Sequence, residues 1–201
     1  MKYGMVIDLR KCVGCNACSL ACRQEHGTAS GILYSRVLNS EAGTYPNTRL
    51  EALPMLCMHC EDPPCEKVCP TKATHVLPNG IVVVDAQKCI GCRLCMQACP
   101  YGARFFYDGA REDFPGQGKV AYEVAKAGEH RAGTVEKCDF CVGRLEAGQQ
   151  PACVQSCTAK ARYFGDLGDS NSEVSALIVK LGGKPLHPEF GTKPKVYYLP
   201  G

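Results

Sequence analysis

The stretch CIGCRLCMQACP, residues 89–100, places four cysteines and a closing proline within twelve positions. Their spacing is C-x2-C-x2-C-x3-C, so three thiols follow one another at intervals of three residues. Loops this short strain a disulfide, because the bond needs specific separations between its two Cα atoms. The backbone of this segment is therefore expected to loop around a centre that several thiols share.

The chain repeats this arrangement. Its 201 residues contain 16 cysteines, which fall into four groups of four with none left over. A sequence repeat accompanies them, since VIDLRKCVGC at 6–15 matches VVDAQKCIGC at 83–92. The groups are Cys12, Cys15, Cys18 and Cys22; Cys57, Cys60, Cys65 and Cys69; Cys89, Cys92, Cys95 and Cys99; and Cys138, Cys141, Cys153 and Cys157.

Three chemistries compete for these thiols. Eight disulfides are disfavoured by the short loops and by the lack of any export signal. Zinc takes ligands from C-x2-C knuckles, and the fourth group alone would suit it. Three thiolates at i, i+3 and i+6 instead match the bacterial ferredoxin run, whose fourth cysteine binds the other cluster of a pair. Gly14 and Gly91 permit the tight backbone, whereas Arg23 and Thr158 stand where the ferredoxin run has proline.

Composition narrows the class of function. The formal charge is +3 without a dense basic block, which excludes a nucleic-acid surface. Four clusters of about −2 each would bring the net charge to about −5. The segment MKYGMVIDLRKC has no apolar signal core, and no stretch is long enough to span a bilayer. We expect assembly in the cytoplasm, no membrane segment of its own, and transport to a membrane or the periplasm only through a partner.

Turn and periodicity signals predict the elements between the groups. Asn79-Gly80 predicts a hairpin within residues 74–86, and residues 23–56 are expected to add a second β excursion. Residues 107–134 are polar and glycine-rich and predict an inserted surface loop with room for one helical turn. Residues 170–183 predict a helix with a capping box from Ser170 to Glu173, followed by an extended arm that has room for one strand.

Nearly the whole chain resembles the four-cluster iron–sulfur subunits of dimethyl-sulfoxide-reductase-type molybdopterin oxidoreductases, such as the electron-transfer subunits of polysulfide, thiosulfate, arsenate and dimethyl sulfoxide reductases. The motifs that carry the resemblance are MVIDLRKCVGCNACSLAC at 5–22, CMHCEDPPCEKVCPTKA at 57–73, CIGCRLCMQACPYGAR at 89–104, KCDFCVGRLEAGQQPACVQSC at 137–157 and GTKPKVYYL at 191–199.

The resemblance implies an α+β fold of two interleaved bacterial-ferredoxin-like modules with four [4Fe–4S] clusters. The expected outer module is split between residues 1–30 and 135–168, and the inner one spans 50–106. Residues 107–134 would form the inserted loop, and 169–201 a C-terminal helix and docking arm. The chain would relay single electrons between a molybdenum or tungsten pterin catalytic subunit and a second partner, often a quinone-reactive membrane subunit. It would not be an enzyme by itself.

The resemblance also implies a crossed ligand assignment, in which each group lends one cysteine to another group's cluster. The four sets are named sites 1 to 4 below. They are Cys12, Cys15, Cys18 and Cys157 (site 1); Cys22, Cys138, Cys141 and Cys153 (site 2); Cys57, Cys60, Cys65 and Cys99 (site 3); and Cys69, Cys89, Cys92 and Cys95 (site 4).

Several charged residues adjoin the groups and are candidates for tuning the reduction potentials, because a cation favours the more negative, reduced state of a cluster. The same residues could equally be solvated or packed side chains without a redox role. They are Lys11, Lys88, Lys137, Arg93, Arg104, Arg162 and His59. Two other functions stay open on the residues alone: a free polyferredoxin that serves several enzymes, and a zinc-stapled binding module.

Overall fold

The computed structural model describes residues 1–109, 114, 116–118 and 120–200. Its α and β content is mixed, as the α+β expectation requires. The strands are β1 Tyr3–Asp8, β2 Arg36–Thr44, β3 Asn47–Met55, β4 Thr74–Val76, β5 Val82–Val84, β6 Phe105–Tyr107, β7 Thr134–Glu136, β8 Arg162–Asp166, β9 Lys184–Pro185 and β10 Val196–Leu199. The helices are α1 Ala17–His26, α2 Pro64–Lys67, α3 Leu94–Gln97, α4 Ala121–Lys126, α5 Val142–Glu146, α6 Ala152–Gln155 and α7 Glu173–Leu181.

Both ends of the chain meet in a four-stranded sheet of order β8-β1-β10-β9. Strand β1 pairs antiparallel with β8 and parallel with β10. Alternate residues of β1 enter two cores: Val6 packs with Val174 of α7 and Leu199, whereas Met5 and Ile7 join the main core beside several cysteines. The sheet is therefore covered on both faces, by α7 on one side and by cysteine-bearing segments on the other.

Three hairpins extend from this centre. Strands β2 and β3 pair over their full length, which confirms the β excursion predicted within 23–56. Strands β4 and β5 flank Asn79-Gly80, which confirms the predicted hairpin; Gly80 has φ of +81°, a conformation that glycine adopts without strain. Strands β6 and β7 form the third pair and bring together the two ends of the segment 107–134.

The predicted helix near the C-terminus is present, but its start is not where the sequence pattern put it. Ser172 is the N-cap residue of α7, and its side chain accepts a hydrogen bond from the backbone N–H of Ser175. The predicted capping box from Ser170 to Glu173 is therefore wrong, because the N-cap residue lies two positions later, at Ser172. The helix ends at Gly182, which adopts the left-handed conformation common at helix ends.

The segment 107–134 is not wholly a free loop. Tyr107 and Glu123 are buried, and the Tyr122 hydroxyl of α4 donates hydrogen bonds to the backbone carbonyls of Arg23 and Gln24 at the end of α1. Residues 110–113, 115 and 119, which belong to the same predicted loop, lie outside the described residues.

The C-terminal residues are not a free arm either. Strand β10 lies between β1 and β9, and its Val196 and Leu199 are fully buried. The docking role predicted for 169–201 stays a prediction that concerns only the exposed parts of this segment. Within the described part of the chain, no helix is both long and apolar enough to cross a bilayer.

Candidate metal centres

Each cysteine group begins in a loop and continues into a short helix. The first two thiols lie in the loop in all four groups, while the third lies on a helix: Cys18 on α1, Cys65 on α2, Cys95 on α3 and Cys153 on α6. All 16 thiols are free of disulfide bonds. The loop-to-helix turn lets three thiols of one segment point to a common centre.

The residue before the second cysteine has a left-handed backbone in every group. Gly14 and Gly91 have φ of +68° and +69°, as their predicted role requires. The other two are His59 and Phe140, with φ of +43° and +57°. A bulky residue in this conformation is strained and persists only where its surroundings impose it.

The two strained residues contact each other. The rings of His59 and Phe140 stack with 3.6 Å between centroids, and both side chains are almost fully buried. Because one ring belongs to the second cysteine group and the other to the fourth, the stack joins the loops that carry site 2 and site 3. Sequence analysis missed Phe140, although its position matches that of His59 within a C-x2-C motif.

Thiols from distant groups lie close enough to interact electrostatically. Burial raises the pKa of Cys22, and Cys153 and Cys141 raise it further. Burial raises the pKa of Cys60 to about 12, and Cys57, Cys65 and Cys99 add to the shift. These contacts join members of site 2 and members of site 3, respectively. Burial is likewise the main cause of the raised pKa of Cys95, to which Cys89 and Cys69 of site 4 contribute.

The members of site 1 line a single small cavity. Cys12, Cys15, Cys18 and Cys157 all border it, together with apolar residues such as Val37 and Pro54. Three of these thiols come from the first cysteine group and one from the far end of the fourth group. Cys92, the remaining predicted ligand of site 4, lies exposed in the loop between Cys89 and α3.

The donor chemistry of the sites fits iron–sulfur clusters. Thiols whose pKa is about 12, such as Cys60 and Cys141, stay protonated near neutral pH unless a cation binds them. Two buried guanidinium groups, on Arg104 and Arg162, form no ion pair with a carboxylate in the described part of the chain, and they donate to cysteine sulfur instead. Buried cations and thiols are both stabilised when each thiolate set holds a metal cluster with net negative charge.

The other predicted tuning residues divide by position. The Lys137 ammonium is buried and donates to the backbone carbonyls of Val82 and Cys138. Lys11 and Lys88 are exposed and pair with Tyr163 and Asp85, respectively, rather than with a thiol.

Arg93 and His59 also differ in exposure. Arg93 is exposed and lies 3.7 Å from the centroid of the Phe106 ring. His59 is buried, and its Nδ1 accepts a hydrogen bond from the Val82 N–H. Burial, reinforced by Lys137, lowers the pKa of His59 far below its usual range, so its ring is neutral. Its Nε2 has no hydrogen-bond partner among the described residues. The backbone carbonyl of Cys138 lies near enough to raise the pKa of His59 slightly, but it does not form a hydrogen bond of normal geometry with Nε2.

His26 is a further residue at the sites, and no sequence pattern indicates its position there. The Nε2 atom of His26 lies 3.3 Å from Sγ of Cys141 and 3.6 Å from a carboxylate oxygen of Asp139. His26 ends α1, and 115 positions separate it from Cys141. Only tertiary folding brings the imidazole to site 2, so no local motif could have identified it.

Comparison with known proteins agrees with this chemistry. Residues 48–113 and 116–167 match a family described as a 4Fe–4S dicluster domain, and residues 11–73 match a second family with the same description. The chain belongs to the 4Fe–4S iron–sulfur subunits of oxidoreductase complexes. Four [4Fe–4S] clusters follow from two dicluster domains, and the 16 cysteines match that number.

Each of three relatives aligns with nearly the whole of this chain. A selenate reductase subunit of Mesobacillus selenatarsenatis is 43% identical over 99% of this chain and 72% of its own. The arsenate respiratory reductase iron–sulfur subunit of a Shewanella species is 40% identical over 99% of this chain and 96% of its own. A sulfite dehydrogenase subunit of Allochromatium vinosum is 41% identical over 99% of this chain and 83% of its own. The predicted electron-transfer role, as a subunit rather than as a catalyst, is confirmed by this family.

Proposed function

We propose that sites 1 to 4 each hold one cluster, in the crossed assignment defined above. The shared cavity of site 1 and the mutual electrostatic effects within sites 2, 3 and 4 support this assignment. A bound [4Fe–4S] cluster supplies reversible uptake of one electron. The chain contributes the thiolates, the buried cations and the exclusion of water.

The order of the sites along the molecule is proposed to be 1, 2, 3, 4. Cys18 of site 1 raises the pKa of Cys153 of site 2, which links these two sites. Cys57 of site 3 acts in the same way on Cys138 of site 2. Arg104 donates a hydrogen bond to Cys65 of site 3, and its charge lowers the pKa of both Cys65 and Cys95 of site 4 against the effect of burial.

The observation that carries the relay is the gradient of burial. All four thiols of site 2 are buried and three of the four in site 3 are buried, whereas sites 1 and 4 each contain an exposed thiol, Cys15 and Cys92. Electrons are therefore proposed to enter and leave at sites 1 and 4. Each of these two sites would face one redox partner.

Two interleaved modules account for this arrangement. Strand β1 pairs with β8 and α1 packs against α6, which supports an outer module formed from residues 1–30 and 135–168. Helix α2 packs against α3, which supports an inner module within 50–106. The described parts of 107–134 and the exposed parts of 169–201 are the proposed docking segments.

The proposed partners are a molybdenum or tungsten pterin catalytic subunit and a second redox subunit, often one anchored in a membrane. The support is indirect: relatives of this chain are named as subunits of selenate and arsenate reductases and of a sulfite dehydrogenase. A reductase reduces its substrate and a dehydrogenase oxidises it, so the named relatives include both directions. The catalytic partner is thus proposed to set the direction of electron flow.

The first test is elemental analysis of the complex, purified anaerobically through a tag on this chain. About 16 iron per chain with close to one molybdenum or tungsten is the expected result. Sixteen iron without either metal would favour a free polyferredoxin instead. Zinc with little iron would refute the cluster assignment.

The crossed ligation has its own test. Cys22→Ser and Cys138→Ser lie in different groups but in the same proposed site, so both should perturb the same electron paramagnetic resonance signal. Cys18→Ser is the matched control, because it lies four residues from Cys22 on α1 but belongs to site 1. A shared signal for Cys18 and Cys22, distinct from that of Cys138, would refute the crossing.

A further inference from the structure

Two arginines occupy equivalent places in the two halves of the molecule. Arg104 follows Cys99 by five residues, and Arg162 follows Cys157 by five. Each stands at the beginning of a short strand, directly before β6 or as the first residue of β8. Both side chains are buried, with only 4% of each residue exposed.

The Arg104 guanidinium donates to a ligand of one proposed site and acts electrostatically on a ligand of a second. Its Nη2 donates to Sγ of Cys65, a ligand of site 3, over 2.9 Å. Its Nη1 donates to the Thr74 hydroxyl over 3.0 Å, and this bond fixes the plane of the group. Cys65 and Cys95, a ligand of site 4, pack in one buried cluster, and the charge of Arg104 lowers the pKa of Cys95 against the larger, raising effect of burial.

Arg162 repeats this geometry in the other half. Its Nη2 donates to Sγ of Cys18, a ligand of site 1, over 3.3 Å and to the Ser35 hydroxyl over 3.1 Å. Cys18 and Cys153, a ligand of site 2, belong to the same buried core, and the charge of Arg162 lowers the pKa of Cys153 against the larger, raising effect of burial. In both halves the two cysteines concerned are the third of their groups.

The charge of these groups has no other compensation in the described part of the chain. Neither arginine pairs with a carboxylate there, and hydroxyl or thioether groups complete their contacts. A buried cation that lacks a counter-charge costs several kcal/mol. Arginine cannot escape this cost by losing its proton, because the guanidinium stays protonated in proteins. The anionic sulfur sites are therefore the counter-ions.

We propose that each buried arginine is shared by two neighbouring clusters and sets both of their reduction potentials together, Arg104 for sites 3 and 4 and Arg162 for sites 1 and 2. This inference rests on the proposed ligand sets. A fixed positive charge stabilises the reduced state of both clusters in a pair. At the junction of sites 2 and 3 the stacked His59 and Phe140 rings are both uncharged, and the buried Lys137 ammonium beside them donates to backbone carbonyls rather than to sulfur. The described residues thus show no arginine shared across this junction, and the proposed sharing acts within each half.

The test is a potentiometric titration of the purified complex, followed by electron paramagnetic resonance, with Arg104→Gln and Arg162→Gln. Arg104→Gln is expected to lower the potentials of two clusters and leave the other two unchanged, and Arg162→Gln should lower the complementary pair. The expected effect is at least a tenfold fall in the reduced-to-oxidised ratio at a fixed potential, which is about 59 mV for one electron.

Three further variants keep the test falsifiable. Arg104→Lys and Arg162→Lys retain the charge but not the forked donor geometry, so they should show a smaller decrease in the same two clusters. Arg93→Gln is the matched control, because Arg93 also adjoins site 4 but is exposed and screened by solvent. If each Arg→Gln variant shifted a single cluster, or all four equally, the proposal would be wrong.

Failure of the ligand assignment would look different. Wild-type complex with fewer than four cluster signals, or with much less than about 16 iron, would refute the proposed function itself. A wild type with four signals and variants that retain their iron, but with unshifted potentials, would refute only the shared role of the arginines.

Discussion

At the scale of single residues, the left-handed position before the second cysteine shows how glycine shapes a site. A Cβ added to Gly91 would lie 2.1 Å from the backbone carbonyl oxygen of Gly133. A backbone atom cannot rotate away as the end of a side chain can. At Gly14, by contrast, the nearest atom would be the Ala52 Cβ at 3.3 Å, so the neighbour must move only slightly.

Gly91→Ala is therefore expected to disrupt site 4 more than Gly14→Ala disrupts site 1. Both substitutions incur the left-handed cost of about 1–2 kcal/mol, but only the first adds a clash with the backbone. We expect Gly91→Ala to lose about four of sixteen iron atoms per chain, measured by elemental analysis. Gly143→Ala in α5 is the control, since its new Cβ would meet open space. Full iron content in Gly91→Ala would contradict the packing argument.

The sequence predicted part of this residue-level chemistry. Arg104 and Arg162 could be found because the repeat places both of them five residues after a cysteine. Their sharing between two sites could not, because Cys65 and Cys95 reach Arg104 from different groups. His26 lies beside Cys141 only through tertiary packing. Local spacing identifies ligands of one loop, whereas contacts between loops depend on the fold.

At the scale of elements, β10 shows what sequence patterns leave undecided. The segment after several prolines was predicted as an extended arm with one possible strand, and its place in the sheet was not predicted. It is a central strand, because β1 offers it an unpaired edge and α7 covers the Val6–Leu199 face. By contrast, the hairpin at Asn79-Gly80 was predictable, since its turn residues and both strands are adjacent in sequence. Parallel pairing between the two ends of a chain leaves no such local signal.

A substitution in β10 tests its structural role. Leu199→Ala should lower stability by about 2–5 kcal/mol, because a fully buried side chain leaves a cavity between β1 and α7. The measurement is the guanidinium midpoint for loss of cluster absorbance under anaerobic conditions. Val179→Ala on α7 is the control; its side chain is 85% exposed, and its effect should stay within about 0.5 kcal/mol. Equal midpoints for the two variants would restore the interpretation of β10 as a loosely attached arm.

At the scale of the whole molecule, the clusters complete the core. The main group of buried apolar residues includes six cysteines, namely Cys18, Cys22, Cys57, Cys60, Cys138 and Cys153. The helices that carry the third cysteine are only four residues long in three of the four groups, too short to be stable alone. Metal binding is therefore coupled to folding, as in other small metal-dependent domains.

Removal of iron should accordingly destabilise the chain, and the remaining stability should depend on pH. In any folded iron-free form, burial holds the pKa of Cys60 and of Cys141 at about 12, whereas the unfolded chain releases these protons near pH 8.5. Between those values the unfolded state binds fewer protons, so stability falls as pH rises, by about 1.4 kcal/mol per pH unit for each such thiol.

Circular dichroism during guanidinium titration at pH 7.5 and pH 10 measures this dependence. We expect the iron-free chain to unfold at a lower guanidinium concentration at pH 10 than at pH 7.5. The iron-loaded chain, whose thiolates are already deprotonated, should change much less over the same interval. Reconstitution with iron and sulfide should restore the loaded behaviour. An iron-free chain with a sharp transition at the same midpoint as the loaded form would show that the core is complete without its clusters.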